Sequence, residues 1–142
     1  MRTRQSIRIE RPCEEVFWFL ADHTNERRWR AELLATRFIG EVRQGVGTHL
    51  RQTLSYQGRI VEADLEITEF VPGERIGFTV HGGVRAHGSI SVRAERGGTR
   101  VVAAGSAELK GSAAMMERFI TQTVERIVIE DLTRLKRVLE AA

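Results

Sequence analysis

SAAMMERFITQTVERIVIEDLTRLKRVLEAA, residues 112–142, is the longest stretch of the chain free of Pro and Gly. It predicts one helix of about 30 residues, about 45 Å long, with Ser112 available as its N-cap. At about 100° per residue, Met116, Ile120, Val124, Ile127, Val128, Leu135, Val138 and Leu139 share one arc, while Arg118, Gln122, Arg126, Lys136 and Glu140 lie off it. A stripe of that length needs a concave apolar surface to cover it. Glu117 and Asp131 fall inside the arc, so the space it faces is not uniformly apolar. An unpaired buried carboxylate is costly or takes a proton, so Asp131 calls for a partner, an Arg or a backbone amide from the first strand or early helices.

The residues before this helix supply the surface. From about residue 32 to Leu109, short alternating runs are separated by glycine turns at Gly45 and Gly47, Gly58, Pro72-Gly73, Gly82-Gly83 and Gly97-Gly98. They read as six strands joined as hairpins, about 32–42, 47–56, 59–70, 74–81, 84–95 and 99–109, neighbours in sequence and in the sheet. In the third of them Val61, Ala63, Leu65 and Ile67 share a face against Glu62, Asp64 and Glu66, and a slip of one residue would bury three carboxylates. The same parity turns Leu50, Gln52, Leu54 and Tyr56 inward, with Ile76, Phe78 and Val80, then Val84, Ala86, Gly88, Ile90 and Val92, then Val101, Ala103, Gly105, Ala107 and Leu109. Ala63, Ala86, Gly88, Ala103, Gly105 and Ala107 make a floor of small residues beneath a helix whose first turns carry Met115, Met116, Phe119 and Ile120. At the packing density of a protein interior, either the helix lies very near the sheet or a space remains between them. A straight helix does not follow a curved sheet along its whole length, so the expectation is a cavity; the alternative is a dry core in which the glycines let the sheet curl.

At the other end, residues Thr3 to Glu10 alternate as a first strand with Ile7 and Ile9 on one face, and Pro12 suits the first turn of a helix over Cys13–Ala21. Cys13, Val16, Phe17 and Leu20 share a face of that helix; Trp18 and Phe19 point elsewhere, packing on a neighbouring loop or offering a candidate homodimer contact. Asp22-His23-Thr24-Asn25 is turn chemistry, with Thr24 and Asn25 capping a second short helix through Trp29.

Size and composition bound the function. The chain of 142 residues fits one domain, 1–142, with enough buried surface to hold a core without disulfides or metals. A lone Cys13 and no apolar leader point to a reducing cytoplasm, and the longest apolar run, Val16 to Ala21, is too short to span a bilayer. The net charge of +3 arises from interleaved signs, not a basic stripe, which disfavours nucleic acid.

IERPCEEVFWFLAD (residues 9–22), followed by Asn25 and Trp29, resembles the opening of the START-like, polyketide cyclase/dehydrase superfamily, also called SRPBCC. Val46-Gly47-Thr48, the run from Gly58 through Glu69-Phe70-Val71-Pro72, and Gly98-Thr99-Arg100-Val101 carry the same resemblance, which covers essentially the whole chain. It implies an α+β helix-grip fold, a curved seven-stranded antiparallel sheet around a long C-terminal helix, with two short helices after the first strand. Members similar to this chain enclose an apolar pocket for lipids, sterols, polyketides, plant hormones or quinones, and some are aromatase/cyclases. The superfamily has no universal catalytic motif. Trp29 matches a tryptophan that lies near the pocket mouth in relatives.

Motifs for other chemistry are missing from the sequence: there is no metal-spaced His/Cys/Asp cluster, nucleophile elbow or phosphate loop, so neither metal nor cofactor is expected. Parity turns His49, His81 and His87 to solvent, and His23 sits in a turn. The inward polar set is Gln52, Tyr56, Thr121, Glu117 and Asp131. Tyr56, Gln52 and Glu117 are the candidates for proton transfer if the chain is an enzyme. The candidate ligand-binding set is Trp29, Gln52, Leu54, Tyr56, Ala63, Leu65, Phe78, Ala103, Gly105, Met116, Phe119 and Ile120. Three functions compete: a binder of a small hydrophobic or amphipathic ligand, a cyclase/dehydratase-type enzyme, and a protein-interaction module with a filled core. Fewer than two ionisable groups in a wide cavity favours the first, and a Tyr beside a carboxylate or Arg favours the second.

Overall fold

The computed structural model describes residues 1–82 and 85–141. Strand β1 (Arg2–Ile9) leads into helix α1 (Cys13–Ala21) and a 3-10 helix (His23–Arg28). Strands β2 (Leu33–Ile39), β3 (His49–Tyr56), β4 (Arg59–Val71), β5 (Arg75–His81), β6 (Ala86–Glu95) and β7 (Gly98–Ala107) follow, then a short helix α2 (Ser112–Met115) and the long helix α3 (Glu117–Glu140). The seven strands form one antiparallel curved sheet in the order β1-β7-β6-β5-β4-β3-β2, in which the first strand closes against the last. The architecture is α+β, the helix-grip arrangement.

Local chemistry explains the hairpins. Gln57-Gly58 and Arg96-Gly97 both hold two successive residues at positive φ (49° and 78°, 51° and 81°), the two-residue turn whose twist matches that of the flanking strands. A bulge between Ile67 and Glu69 shifts the register of β4 against β5, so that Ile67 opposite Phe78 and Phe70 opposite Ile76 all reach the inner face. Without the extra residue Phe70 would point to solvent; the bulge also adds to the curl of the sheet.

The core sits where α1 and the C-terminal half of α3 close one end of the curved sheet, around Ile9, Val16, Phe17, Leu20, Val101, Leu132, Leu135 and Leu139. Polar contacts lock this corner. Lys136 Nζ donates to the Arg8 carbonyl at 2.8 Å, Arg11 Nε to the Leu139 carbonyl at 2.9 Å, and the Glu10 amide to Glu140 Oε2 at 2.7 Å. Trp18 remains partly exposed and packs edge-on to Phe17, with ring centroids 5.1 Å apart, and obliquely to Phe70.

Several expectations need correction. The C-terminal helix is not continuous: Met116, at φ −103° and ψ 12°, separates α2 from α3. Ser112 lies inside α2, whose cap is Gly111, and no residue of α2 is buried. Asp22, not Thr24 or Asn25, caps the 3-10 helix, accepting from the Thr24 amide, and that helix ends at Arg28. Strand β7 stops at Ala107, before Leu109. Leu132, outside the expected arc, is buried, whereas Val138 is only half-buried. Val84, expected to face inward at the start of the strand 84–95, lies outside the described residues.

Candidate functional site

Between the concave face of the sheet and α3 lies a cavity of about 420 Å³. The small residues Ala63, Ala86, Gly88, Ala103, Gly105 and Ala107 line it, together with Leu54, Leu65, Phe78 and Ile90 from the sheet. Val124, Ile127, Val128, Asp131 and Leu132 of α3 form the opposite wall. Gly88 differs from the other small residues: a Cβ there would run into the Phe78 ring, so its missing side chain makes room for Phe78, not for a guest. At Gly105 the nearest atom to an added Cβ is Thr3 Oγ1 at 3.4 Å, an ordinary contact.

One end of the cavity is polar. The 3-10 helix repeats every three residues, which aligns His23 and Glu26 on one face; Trp29 and Arg30 follow directly, and all four line the cavity. His23 and Glu26 are only 4% and 8% exposed. His23 Nδ1 lies 2.9 Å from Glu26 Oε1, and Arg30 Nη1 donates to Glu26 Oε2 at 2.7 Å. Gln52, on the inner face of β3, donates through Nε2 to Glu26 Oε2 at 2.9 Å and accepts from Arg30 Nη1 at 3.1 Å. Burial alone would push the Glu26 carboxyl up. The hydrogen bond to His23, the charge of Arg30 and the amide of Gln52 outweigh it and hold Glu26 down to about 2. Glu26 is therefore an ionised acceptor at neutral pH.

Asp131 approaches the same end from α3. Its Oδ1 accepts from the Ala31 amide at 3.3 Å and from Arg134 Nη1 at 3.1 Å, and Arg134 also donates to the Trp29 carbonyl. The partners are thus a backbone amide just beyond the 3-10 helix and an arginine of its own helix. Burial raises the Asp131 carboxyl above its ordinary value, and the Ala31 amide, Arg30 and Arg134 pull it only part of the way back.

Of the residues singled out in the sequence, Trp29, Gln52, Leu54, Ala63, Leu65, Phe78, Ala103 and Gly105 stand around this cavity. Tyr56, Met116, Phe119, Ile120 and Glu117 are not among its walls. Met116 and Phe119 are exposed, and Tyr56, the last residue of β3, is half-buried. Glu117 instead lies 3.3 Å from the amino group of Met1. His49, His81 and His87 belong to the outer face, where His87 Nδ1 meets Thr79 Oγ1. His23, Glu26 and Arg30 were missed. The signal available was the i, i+3 spacing of His23 and Glu26, which a 3-10 turn gathers on one side, with Arg30 four residues after Glu26; the turn-forming residues beside them hid it. Among the described residues no group of three or more His, Cys, Asp or Glu could hold a metal ion, and no helix is long and apolar enough to cross a membrane.

Such an arrangement can enclose an apolar body on the alanine floor while presenting hydrogen-bonding groups to one polar end. The same fold occurs in a protein of Thermus thermophilus, 24% identical, with a TM-score of 0.86 over 100% of this chain and 99% of that one. The Zhui aromatase/cyclase of Streptomyces sp. R1128 is 15% identical, with a TM-score of 0.84 over 99% and 93% of the two chains. The di-domain ARO/CYC BexL of the BE-7585A biosynthetic pathway is 17% identical, with a TM-score of 0.81 over 99% of this chain and 46% of that one. No curated protein sequence matches the chain. The family model described as polyketide cyclase / dehydrase and lipid transport matches residues 1–140, and the chain belongs to that family.

Proposed function

We propose that the protein binds a small hydrophobic or amphipathic molecule between the sheet and α3. The observation that carries this reading is the 420 Å³ space itself, floored by alanines and a glycine, with a cluster of ionisable side chains at one end. An empty apolar space forfeits dispersion contacts along its walls, so the fold is less stable for having it. Ligand binding is the use that offsets that loss. In this reading Trp29, Gln52, Leu54, Ala63, Leu65, Phe78, Ala103 and Gly105 contact the guest, and His23, Glu26, Arg30 and Asp131 meet its polar group. The space beneath α3 counts against the interaction module, which called for a filled core.

A second reading, a cyclase/dehydratase-type enzyme, is favoured by one observation. Four ionisable side chains, His23, Glu26, Arg30 and Asp131, border the cavity, where a passive carrier needs fewer. Tyr56 and Glu117 no longer serve it, and His23 takes their place as the proton-transfer candidate. Native mass spectrometry of the protein purified from its own host tests the first reading: a co-purified apolar molecule released on denaturation supports it. A protein that carries nothing and gives no saturable signal with an apolar fluorescent dye overturns it.

A further inference from the structure

His23 is almost wholly buried and lines the cavity, and only one of its ring nitrogens is engaged. Its Nδ1 faces Glu26, which as a carboxylate can only accept, so Nδ1 carries the proton. Nε2 has no partner among the described residues. In the uncharged ring it is a lone-pair acceptor that, unlike the sealed Trp29 Nε1, stays open to a donor entering the cavity.

The charges around it are already matched. Arg30 is tied through Nη1 to Glu26, and on the facing helix Arg134 is tied to Asp131. With the His23 ring uncharged, these two cations and two carboxylates leave no net positive charge for an anionic guest, and a third carboxylate would lie against Glu26 and Asp131 in a site of low dielectric. Arg30 still holds Nε and Nη2 without protein partners among the described residues, so it can donate to an oxygen. A hydroxyl satisfies both needs, giving its proton to Nε2 and accepting from the guanidinium.

We infer that the His23–Glu26–Arg30 cluster makes the cavity selective for apolar guests bearing an uncharged hydroxyl, phenol or enol, over guests of the same body bearing a carboxylate. The inference rests on the ligand-binding reading above and narrows it. Glu26 is the residue that sets the selectivity, because it both fixes the tautomer of His23 and cancels the charge of Arg30.

The test uses 2-naphthol and 2-naphthoate, one ring system with two head groups, titrated at neutral pH by calorimetry. The wild-type protein is expected to bind naphthol at least about tenfold more tightly, the worth of one well-formed hydrogen bond without a buried charge clash. Glu26→Gln should raise naphthoate affinity and shrink the ratio, and His23→Phe should weaken naphthol alone. Equal or tighter binding of naphthoate by the wild type overturns the selectivity while leaving the cavity reading standing. Binding of neither probe overturns both. The wild-type comparison is decisive alone, so the test holds even where a variant fails to fold.

Discussion

At the scale of single residues, the two buried carboxylates of the cavity have opposite relations to pH. Glu26 is held below its unfolded value, from 4.5 to about 2, so its contribution is present above the unfolded value and is lost as pH falls toward the folded one. A difference of that size corresponds to on the order of 3 kcal/mol. Urea denaturation between neutral pH and about 2.5 should therefore show wild-type stability falling in acid, with Glu26→Gln less stable at neutral pH and much flatter across that window. A Glu26→Gln curve parallel to the wild type would remove Glu26 as the cause. Asp131 is raised in the folded protein, so its contribution is present at low pH and is lost as pH rises through the folded value. Asp131→Asn keeps an acceptor for the Ala31 amide and should be as stable as the wild type or more so at neutral pH; a large destabilisation would show that the Arg134 pair outweighs desolvation. Asp131 was legible as a buried carboxylate because helical periodicity placed it in an apolar arc. Glu26 was not, since it lies among His23, Asn25, Arg27 and Arg28, where polarity reads as solvent exposure. Only the fold, which brings Gln52 of β3 against it, converts that short polar segment into a buried cluster.

Among the elements, strands were easier to read than helix ends. In β4 alternation is unambiguous because Glu62, Asp64 and Glu66 cannot be buried together, and the glycine turns fix where each hairpin closes. The break at Met116 left no comparable trace: Ala, Met and Glu are good helix formers, and no Gly or Pro marks the position. What ends the helix is tertiary, for α2 has no buried side chain whereas the later turns of α3 have Leu132, Leu135 and Leu139. Helix α3 is thus anchored at its C-terminal half and spans the cavity with the other. Leu135, fully buried, is the centre of that anchor. Leu135→Ala should cost about 2–5 kcal/mol by chemical denaturation, because the corner held by Lys136, Arg11 and Glu140 has little freedom to collapse into the hole. A loss below about 1 kcal/mol would mean that the helix is retained chiefly by those polar contacts.

For the molecule as a whole, the cavity follows from two shapes that do not conform. The sheet curls through its bulges at Leu33/Ala35 and Ile67/Glu69, and among the strands α3 packs chiefly on β1, so helix and sheet meet at the β1 end and the cavity lies between α3 and the rest of the sheet. Large side chains on the floor would close the gap, and the residues there are Ala63, Ala86, Ala103, Gly105 and Ala107 instead. Enlarging one of them separates folding from binding. Ala103 lines the cavity while packing against the core at its edge, so Ala103→Phe should direct its ring into the cavity and fold with stability close to that of the wild type. The same ring occupies the volume a guest needs, and affinity for an apolar dye should fall by at least about tenfold, roughly the 1.4 kcal/mol of lost contact that such a factor represents. Thermal melts and dye titrations on one preparation decide the matter. Preserved melting with lost binding places the guest on the alanine floor; unchanged affinity would put the dye elsewhere, and a sharp drop in melting temperature would mean that the space is too narrow to admit the ring.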